Sequence, residues 1–376
     1  MFVENSRLPI ECALTIEGSR SLPASMYRDD DIFELEKTSL FFRTWQYACH
    51  ISQLSSPGSY VTVELFDQQL VLIRNTDGEV NCFYNVCLHR GHPLVEGVGC
   101  KARLVCPYHA WVYDLDGNLA SARRADSGDA IDRSGVALTS VRVERVLDFY
   151  FVNLDPDALP LSEVAGGLED SLNEVVPDLS DYQLNPALDY VDKPFECNWK
   201  VLIDNQLECY HCDVAHPGFA KLMDIENTRN TMQDDLVFQH IPAVSDLQDP
   251  PFPYQRDGDV GDGMFWTLFP NTILARLPGA PSLSISRLQP ISATRTTRVI
   301  QVLSHPGGNT EGSEDRLKWL RDGVIEEDRG LCEAVQKGVT QRGFTQGYYA
   351  IDAQRNQLCE EPVRYFHQRY LDALSA

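Results

Sequence analysis

The chain has 376 residues, more than one hydrophobic core usually serves, so two domains are expected. Hydrophobic residues make up 43% of it, no apolar run approaches the roughly eighteen residues a membrane span needs, and the opening MFVENSRLPIECALTIEGSR lacks the basic-then-apolar order of a signal peptide, so a cytoplasmic protein without membrane association is expected. Fifty-five acidic against 32 basic residues leave a formal charge of -23, which argues against a nucleic-acid partner, and eleven irregularly spaced cysteines point to metal ligands or buried free thiols rather than a disulfide framework.

Between Gly58 and Val86 the segments SYVTVELF, QQLVLIRN and EVNCFYNV are short, rich in β-branched and aromatic residues, and separated by turn signals. Asp77-Gly78 between two such runs is a hairpin signal, so a small antiparallel sheet is expected here.

Directly after this sheet comes CLHRGHPLVEGVGCKARLVCPYHAW, residues 87 to 111. Cys87-x-His89 and Cys106-x-x-His109, with sixteen residues between the pairs, supply two thiolates and two imidazoles. That donor set suits zinc or a 2Fe-2S cluster with two histidines on one iron. Zinc modules usually pair CxxC with HxxxH, whereas here each loop gives one cysteine and one histidine. Two neighbouring loops can then hold one iron by sulfur and the other by nitrogen, and the cluster is the expectation. Its role is that of an electron relay. His92 and Cys100 complete no pair and read as a loop histidine and an ordinary thiol.

After about residue 155 the pattern changes to that of a larger α+β domain. NWKVLIDNQLECYHCDVAHPGF, residues 198 to 219, reads as a helix ending near a proline. His211 and His216 are five apart, which on a regular helix turns them about 140° from each other. Pro217 disfavours the α region at His216, so the helix should end there and let His216 turn back toward His211. Strand-like runs follow in GMFWTLFPNTILARL and TRVIQVLS. The segment SEDRLKWLRDGVIEEDRGLCEAVQKG then reads as a long helix with Leu320, Val324, Leu331 and Val335 as its apolar stripe. Asp328 falls on that stripe and should face inward, where a carboxylate is far less costly on a metal than alone. Two histidines and one carboxylate form the facial triad of non-haem Fe(II) oxygenases, so His211, His216 and Asp328 are the expected metal ligands, with Glu327 and Asp213 as competing carboxylates.

CLH…CPYHAW after a β-hairpin resembles the Rieske domain of the Rieske non-haem iron oxygenases, and DNQLECYHCDVAHPGF with EDRGLCEAVQKGVTQRGFTQG resembles the branch acting on carnitine, glycine betaine and other quaternary amines. The resemblance implies an α+β chain with a Rieske 2Fe-2S domain over residues 38–155 and a mononuclear iron catalytic domain from residues 1–37 and 156–376, its antiparallel sheet covered by helices. It further implies a terminal oxygenase, in a head-to-tail homotrimer, fed by a separate flavin and iron-sulfur reductase that oxidises NAD(P)H. This chain itself shows no GxGxxG pattern. Glu208 is then the bridge between His211 and a cluster histidine, His109, of the neighbouring subunit. Gln206 stands where carnitine-type relatives have a tyrosine, which removes one ring face for a cationic substrate. Gln206, Tyr210, Phe265 and Trp266, with Phe269, are the expected substrate contacts. The implied reaction is insertion of one oxygen atom from O2 into a C-H bond next to nitrogen, with C-N cleavage. Aromatic-ring hydroxylation and dealkylation of another amine are the alternatives within the enzyme class. A pure Rieske electron carrier is the alternative outside it, and it would leave everything beyond about residue 155 unexplained.

Overall fold

The computed structural model describes residues 20–123, 135–245, 247, 249–254, 260–308, 310–351 and 359–375. Residues 1–19, counted above with the larger domain, lie outside that range. The chain divides into two compact units, one running from Phe42 to Leu161 and the other taking in the chain on either side of it. Among the described residues no helix is long and apolar enough to cross a membrane.

In the smaller unit the three strand-like segments form Ser59–Leu65, Gln68–Arg74 and Val80–Tyr84. They are successive neighbours in a seven-stranded antiparallel sheet. The Asp77-Gly78 turn closes on Asn75, whose Oδ1 accepts the backbone N-H groups of Asp77 and Glu79 at 3.0 and 2.9 Å, and Gly78 supplies the left-handed φ of 91°. Leu70, Val71, Leu72 and Ile73 are all 0% exposed, because both faces of their strand are covered. Leu70 and Leu72 join one core with Leu54 and Val61. Val71 and Ile73 point the other way, into a core that contains Cys87, Cys106, Trp111 and Tyr113. Full burial of each such side chain is worth about 1.5–3 kcal/mol, so the cysteine-bearing loops rest on a firm apolar floor.

The larger unit is built on an eight-stranded antiparallel sheet. Its register sets Gln239, Phe265, Ala275 and Ser284 opposite one another across four strands. A second row runs through Ile273, Ser286, Ile300 and Tyr190. Since side chains alternate along a strand, both rows present the same face.

The stretch 198–219 is broken into three pieces rather than the single helix its pattern suggests. Asn198 caps Trp199–Gln206 by accepting the Lys200 N-H at 3.0 Å, and that helix stops at Leu207. One turn, Cys212–Ala215, follows, and then Pro217–Leu222 starts on its proline. His216 between them has φ -124° and ψ 68°, the non-helical conformation that the following proline favours. The first of these helices is tied down by a buried network. Lys200 pairs with Glu36, both 0% exposed, and Glu36 also accepts from Trp199 Nε1 at 2.9 Å and Tyr370 Oη at 2.6 Å. Asp204, on the same helix, accepts from Tyr27 Oη at 2.7 Å and lies 2.7 Å from His367 Nε2.

The long helix is also interrupted. Thr310–Trp319 and Ile325–Val339 are joined by a π-helical turn, Leu320–Val324, whose extra residue shifts the phase of the apolar face. The expected stripe therefore fails in its second half: Leu331 and Val335 are exposed, and Arg329, Cys332, Gln336 and Val339 are the buried positions. Asp328 sits at the edge of that buried face. A further correction concerns the cysteines, since Cys209 and Cys212 are joined as a disulfide rather than free. Their spacing within one turn sets the Cα atoms 4.9 Å apart, well within bridging reach.

Candidate active site

In the smaller unit, Cys87 and Cys106 head two loops with the same backbone plan. The Cys87 carbonyl accepts from Gly91 N-H and its N-H donates to the His92 carbonyl, both at 2.8 Å. The Cys106 carbonyl accepts from Ala110 N-H at 3.0 Å and its N-H donates to the Trp111 carbonyl at 2.8 Å. Each loop closes through a left-handed residue, Gly91 at φ 73° and Ala110 at φ 57°. Both cysteines are buried, whereas His89 is exposed and His109 half-buried, so the sulfurs lie inside and the imidazoles outside. The two histidine rings are 4.6 Å apart between centroids, and His89 stacks on Trp111 at 4.9 Å.

The donor set fits a 2Fe-2S cluster with split ligation. Nδ1 of His109 is buried without a hydrogen-bond partner among the described residues, a lone pair suited to an iron. Burial and the neighbouring His89 and Arg90 charges lower the His109 pKa, favouring the neutral ring a ligand must be. Burial raises the Cys106 thiol, while hydrogen bonds from the backbone N-H groups of Tyr108 and His109 favour its thiolate. Tyr113 Oη stands 3.5 Å from Cys87 Sγ and accepts the Leu88 N-H at 3.0 Å. Such contacts to the sulfurs help set a cluster's potential.

In the larger unit, the broken helix and the long helix bring His211, His216 and Asp328 together, with one ligand atom from each within 4.8 Å of the others. His216 Nε2 lies 2.9 Å and His211 Nε2 3.6 Å from Asp328 Oδ1, and the two Nε2 atoms are 3.2 Å apart. The opposite ring nitrogens are held by carboxylates. His211 Nδ1-H donates to Glu208 Oε1 at 2.5 Å, and Glu208 Oε2 accepts the His211 backbone N-H at 3.1 Å. His216 Nδ1-H donates to Glu327 Oε2 at 2.8 Å. Each imidazole is thereby fixed with its Nε2 lone pair toward Asp328, the arrangement in which an outer carboxylate orients a metal-binding histidine. Glu327, one of the competing carboxylates, thus lies on the far side of His216, and Asp213 is exposed.

Burial alone would lower the His211 pKa, but Asp328 and Glu208 outweigh it and raise it to about 9. His216 is raised in the same way by Asp328 and Glu327 against burial. Asp328 is brought down to about 2, its two histidine partners overcoming the burial that would raise it. A divalent cation would replace these protons between the same atoms. Three ligands on one side of a metal leave other positions open for O2, which is the requirement of a non-haem iron oxygenase.

The triad opens on a cavity of about 160 Å³ walled by Gln206, Phe219, Leu320 and Val324 and floored by the two sheet rows that hold Gln239, Phe265, Ile273 and Ser286. This volume is below the roughly 300–1,000 Å³ of sites for drug-sized ligands, so the substrate is small. Of the expected substrate contacts, Gln206 and Phe265 line the cavity. Tyr210 does not and is 59% exposed. Trp266 does not either, because it follows Phe265 in the strand and so faces away, donating from Nε1 to Ser171 Oγ at 2.8 Å. Phe269 packs against Phe366, with centroids 5.2 Å apart, away from the cavity lining. Asn205, whose Nδ2 is 3.2 Å from His211 Nε2, and the strand residues Tyr190, Ser284 and Arg298 are cavity residues that the sequence reading did not single out.

Each of the two units matches a known domain family. Residues 44–140 match the Rieske [2Fe-2S] domain, and residues 176–376 match the ring hydroxylating alpha subunit catalytic domain. The carnitine monooxygenase oxygenase subunit of Escherichia coli K12 is 33% identical over 362 residues, covering 96% of this chain and 95% of its own. The glycine betaine monooxygenase oxygenase subunit of Chromohalobacter salexigens is 28% identical over 375 residues, covering 89% of this chain and 82% of its own. A solved quaternary ammonium Rieske monooxygenase, described in connection with carnitine oxidation by gut microbiota and inter-subunit electron transfer, superposes with a TM-score of 0.85 at 30% identity, over 94% of this chain and 95% of that one.

Proposed function

The chain belongs to the Rieske-type ring-hydroxylating oxygenase alpha-subunit family, and from that premise we propose that it is a terminal monooxygenase that oxidises a small quaternary or N-alkylated amine at a carbon next to nitrogen. The observation that carries this reading is the triad of His211, His216 and Asp328 at the wall of a cavity of about 160 Å³. The ligand assignment is part of the proposal: Cys87 and Cys106 on the inner iron, His89 and His109 on the outer, and His211, His216 and Asp328 on the mononuclear iron. When bound, the cluster supplies single electrons and the mononuclear iron activates O2. Overall the substrate C-H, O2, two electrons and two protons give the C-OH product and water. The hydroxylated carbon next to nitrogen then becomes a carbonyl: its O-H proton is lost as the C-N bond breaks and the amine leaves with the bonding pair.

The chain's own groups do the rest. Glu208 and Glu327 hold the imidazoles in one tautomer. Leu320, Val324 and Phe219 keep water from the reacting carbon, while Phe265 offers a ring face to an alkylammonium group. Gln206 leaves that cation one aromatic contact fewer than a tyrosine would.

The reading includes a cytoplasmic homotrimer in which Glu208 joins His211 to His109 of the partner subunit, and a separate reductase with flavin and iron-sulfur centres that oxidises NAD(P)H. Exposed apolar side chains beside both sets of ligands, Leu88 and Tyr108 near the cluster and Tyr210 and Val214 near His211, support burial of these regions in an assembly. The test is a screen of quaternary and tertiary amines with a reconstituted reductase, following O2 uptake against product. Coupled uptake with an alkylated ammonium compound supports the reading. Coupled uptake only with aromatic hydrocarbons, giving ring diols, overturns it.

A further inference from the structure

We propose that Cys209 and Cys212 are a redox-active pair of the cavity, a dithiol that hydrogen peroxide oxidises to a disulfide, and that the disulfide clamps the turn bearing His211; this rests on the oxygenase reading above for the source of the peroxide alone. The two cysteines are joined in this structure, with Cα atoms 4.9 Å apart. They are 6% and 5% exposed, yet both line the cavity beside the triad, and no other cysteine among the described residues does. Their sulfurs are therefore shut off from bulk solvent but within reach of a neutral molecule as small as peroxide. Cys197 and Cys332 are buried free thiols outside the lining; burial pushes the Cys197 thiol up to about 12 and raises Cys332 as well, which keeps both unreactive. The Cys209–Cys212 bond also makes a poor staple for the whole fold. It closes only residues 209–212, a loop so short that it restrains little of the unfolded chain, so its effect is local.

What the bond restrains is the turn that presents His211. The helix Trp199–Gln206 ends at Leu207 and the next turn begins at Cys212, so residues 208–211 lie outside any regular helix. Glu208 directly precedes one cysteine and His211 directly precedes the other. Glu208 accepts from both the backbone N-H and the Nδ1-H of His211, at 3.1 and 2.5 Å, while the Cys212 N-H donates to the Cys209 carbonyl at 3.2 Å. Two thiols cannot stay at the roughly 2.05 Å of a bonded pair, so reduction parts the sulfurs and loosens the turn that aims His211 Nε2 at Asp328. In the oxidation, one thiol attacks a peroxide oxygen: an S-O bond forms, the O-O bond breaks and one water leaves. The second thiol then displaces the sulfenic oxygen as another water and forms the S-S bond. Two thiols and one H2O2 thus give one disulfide and two H2O, with both thiol protons ending in water. The peroxide is what two electrons and two protons make of O2 when no substrate C-H takes the oxygen. Exchange with a small dithiol restores the pair. A harmful by-product is thereby consumed beside the histidines, and the oxidation stops at a reversible product because the resolving cysteine is three residues away.

The test treats the folded, iron-loaded enzyme with dithiothreitol, removes the reductant without air, and adds hydrogen peroxide stepwise. Samples are quenched in acid, unfolded and alkylated, and peptide mass spectra report the state of Cys209 and Cys212. Dithiothreitol should open the bond in the folded enzyme, and one equivalent of peroxide should close it again without sulfinic acid. Chelator competition then gives the affinity of the mononuclear iron in both states. It should be weaker in the dithiol form by about tenfold, the low end of what losing an orienting partner of a ligand costs. Cys212→Ser should bind iron like the dithiol form whatever the redox treatment, and peroxide should carry its Cys209 on to sulfinic acid. The wild-type comparison needs no variant, so it decides the matter even if Cys212→Ser does not fold. A bond that resists dithiothreitol in the folded enzyme, a dithiol that peroxide leaves unchanged, or equal iron affinity in the two states overturns the inference. A last arm replaces added peroxide by the reductase and O2 without substrate. O2 consumed and peroxide released while the pair stays reduced also overturns the inference. A pair that responds to added peroxide in an enzyme that consumes no O2, with or without amines, sustains the redox role and overturns the oxygenase reading instead.

Discussion

Glu327 and His216 form a hydrogen bond of 2.8 Å through Nδ1, while the adjacent carboxylate, Asp328, lies 2.9 Å from Nε2 of the same ring. Two consecutive acids on one helix therefore meet opposite sides of one imidazole, and their roles separate. Glu327→Gln should keep the mononuclear iron but weaken its binding, by about 10–100-fold for loss of an orienting carboxylate. Asp328→Ala should strip that iron and leave the cluster absorption intact. Iron titration and visible spectra of the two variants check this, and the reverse order would exchange the roles.

His109 holds a buried Nδ1 with no partner among the described residues. If it ligates the outer cluster iron, His109→Cys that retains a cluster should show a lower midpoint potential, since histidine ligation is what raises it above that of an all-cysteine cluster. Electrochemistry that finds the same potential in the variant and wild type contradicts the assignment.

The triad binds protons when it binds no metal, which gives iron loading a pH dependence. The His211 pKa is raised from 6.5 to about 9, so its contribution to stability is fully present below 6.5 and is lost as pH rises through about 9. Iron-free protein should accordingly lose stability across that window. Iron must displace the same proton, so its affinity should rise about tenfold per pH unit over the window for one proton, and more steeply if His216 also gives one up. Thermal unfolding of the iron-free and iron-loaded chain from pH 6.5 to 9 checks both signs: the gap between them should widen as pH rises.

The helix that bears Asn205 is anchored by Lys200 and Glu36, both fully buried. Burial lowers the Lys200 pKa and the Glu36 charge opposes this. Glu36→Gln removes the counter-charge and leaves the ammonium stranded, at a cost of about 3–5 kcal/mol. Denaturant unfolding measures it, and a loss below about 1 kcal/mol would mean that the cation finds another partner.

How far the sequence reveals this site depends on whether its parts are contiguous. Cys87, His89, Cys106 and His109 stand out in the sequence as candidate donors because each pair sits within one loop, and His211 and His216 because Pro217 marks the break between them. The apolar stripe that points to Asp328 holds only in its first half. The stripe that pointed to it assumed a regular helix, and the π turn at Leu320–Val324 leaves Leu331 and Val335 in solvent. Phe265 and Trp266 could not both face one cavity, since strand neighbours point oppositely, and alternation alone would have removed one of them. Arg298, Tyr190 and Ser286 were out of reach, because only the strand register joins residues 190, 273, 286 and 300 into one row.

The account rests centrally on Asp328, His211 and His216 as the place where O2 is used on an amine. The most direct measurement is a single turnover with chemically reduced enzyme and an alkylated ammonium substrate, recording product formed per O2 consumed in wild type and in Asp328→Ala. The account predicts close to one product per O2 in wild type, and none in the variant although its cluster is still reduced and reoxidised. Product from Asp328→Ala at the wild-type yield, or wild-type enzyme that consumes O2 without oxidising any alkylated ammonium compound, would contradict it.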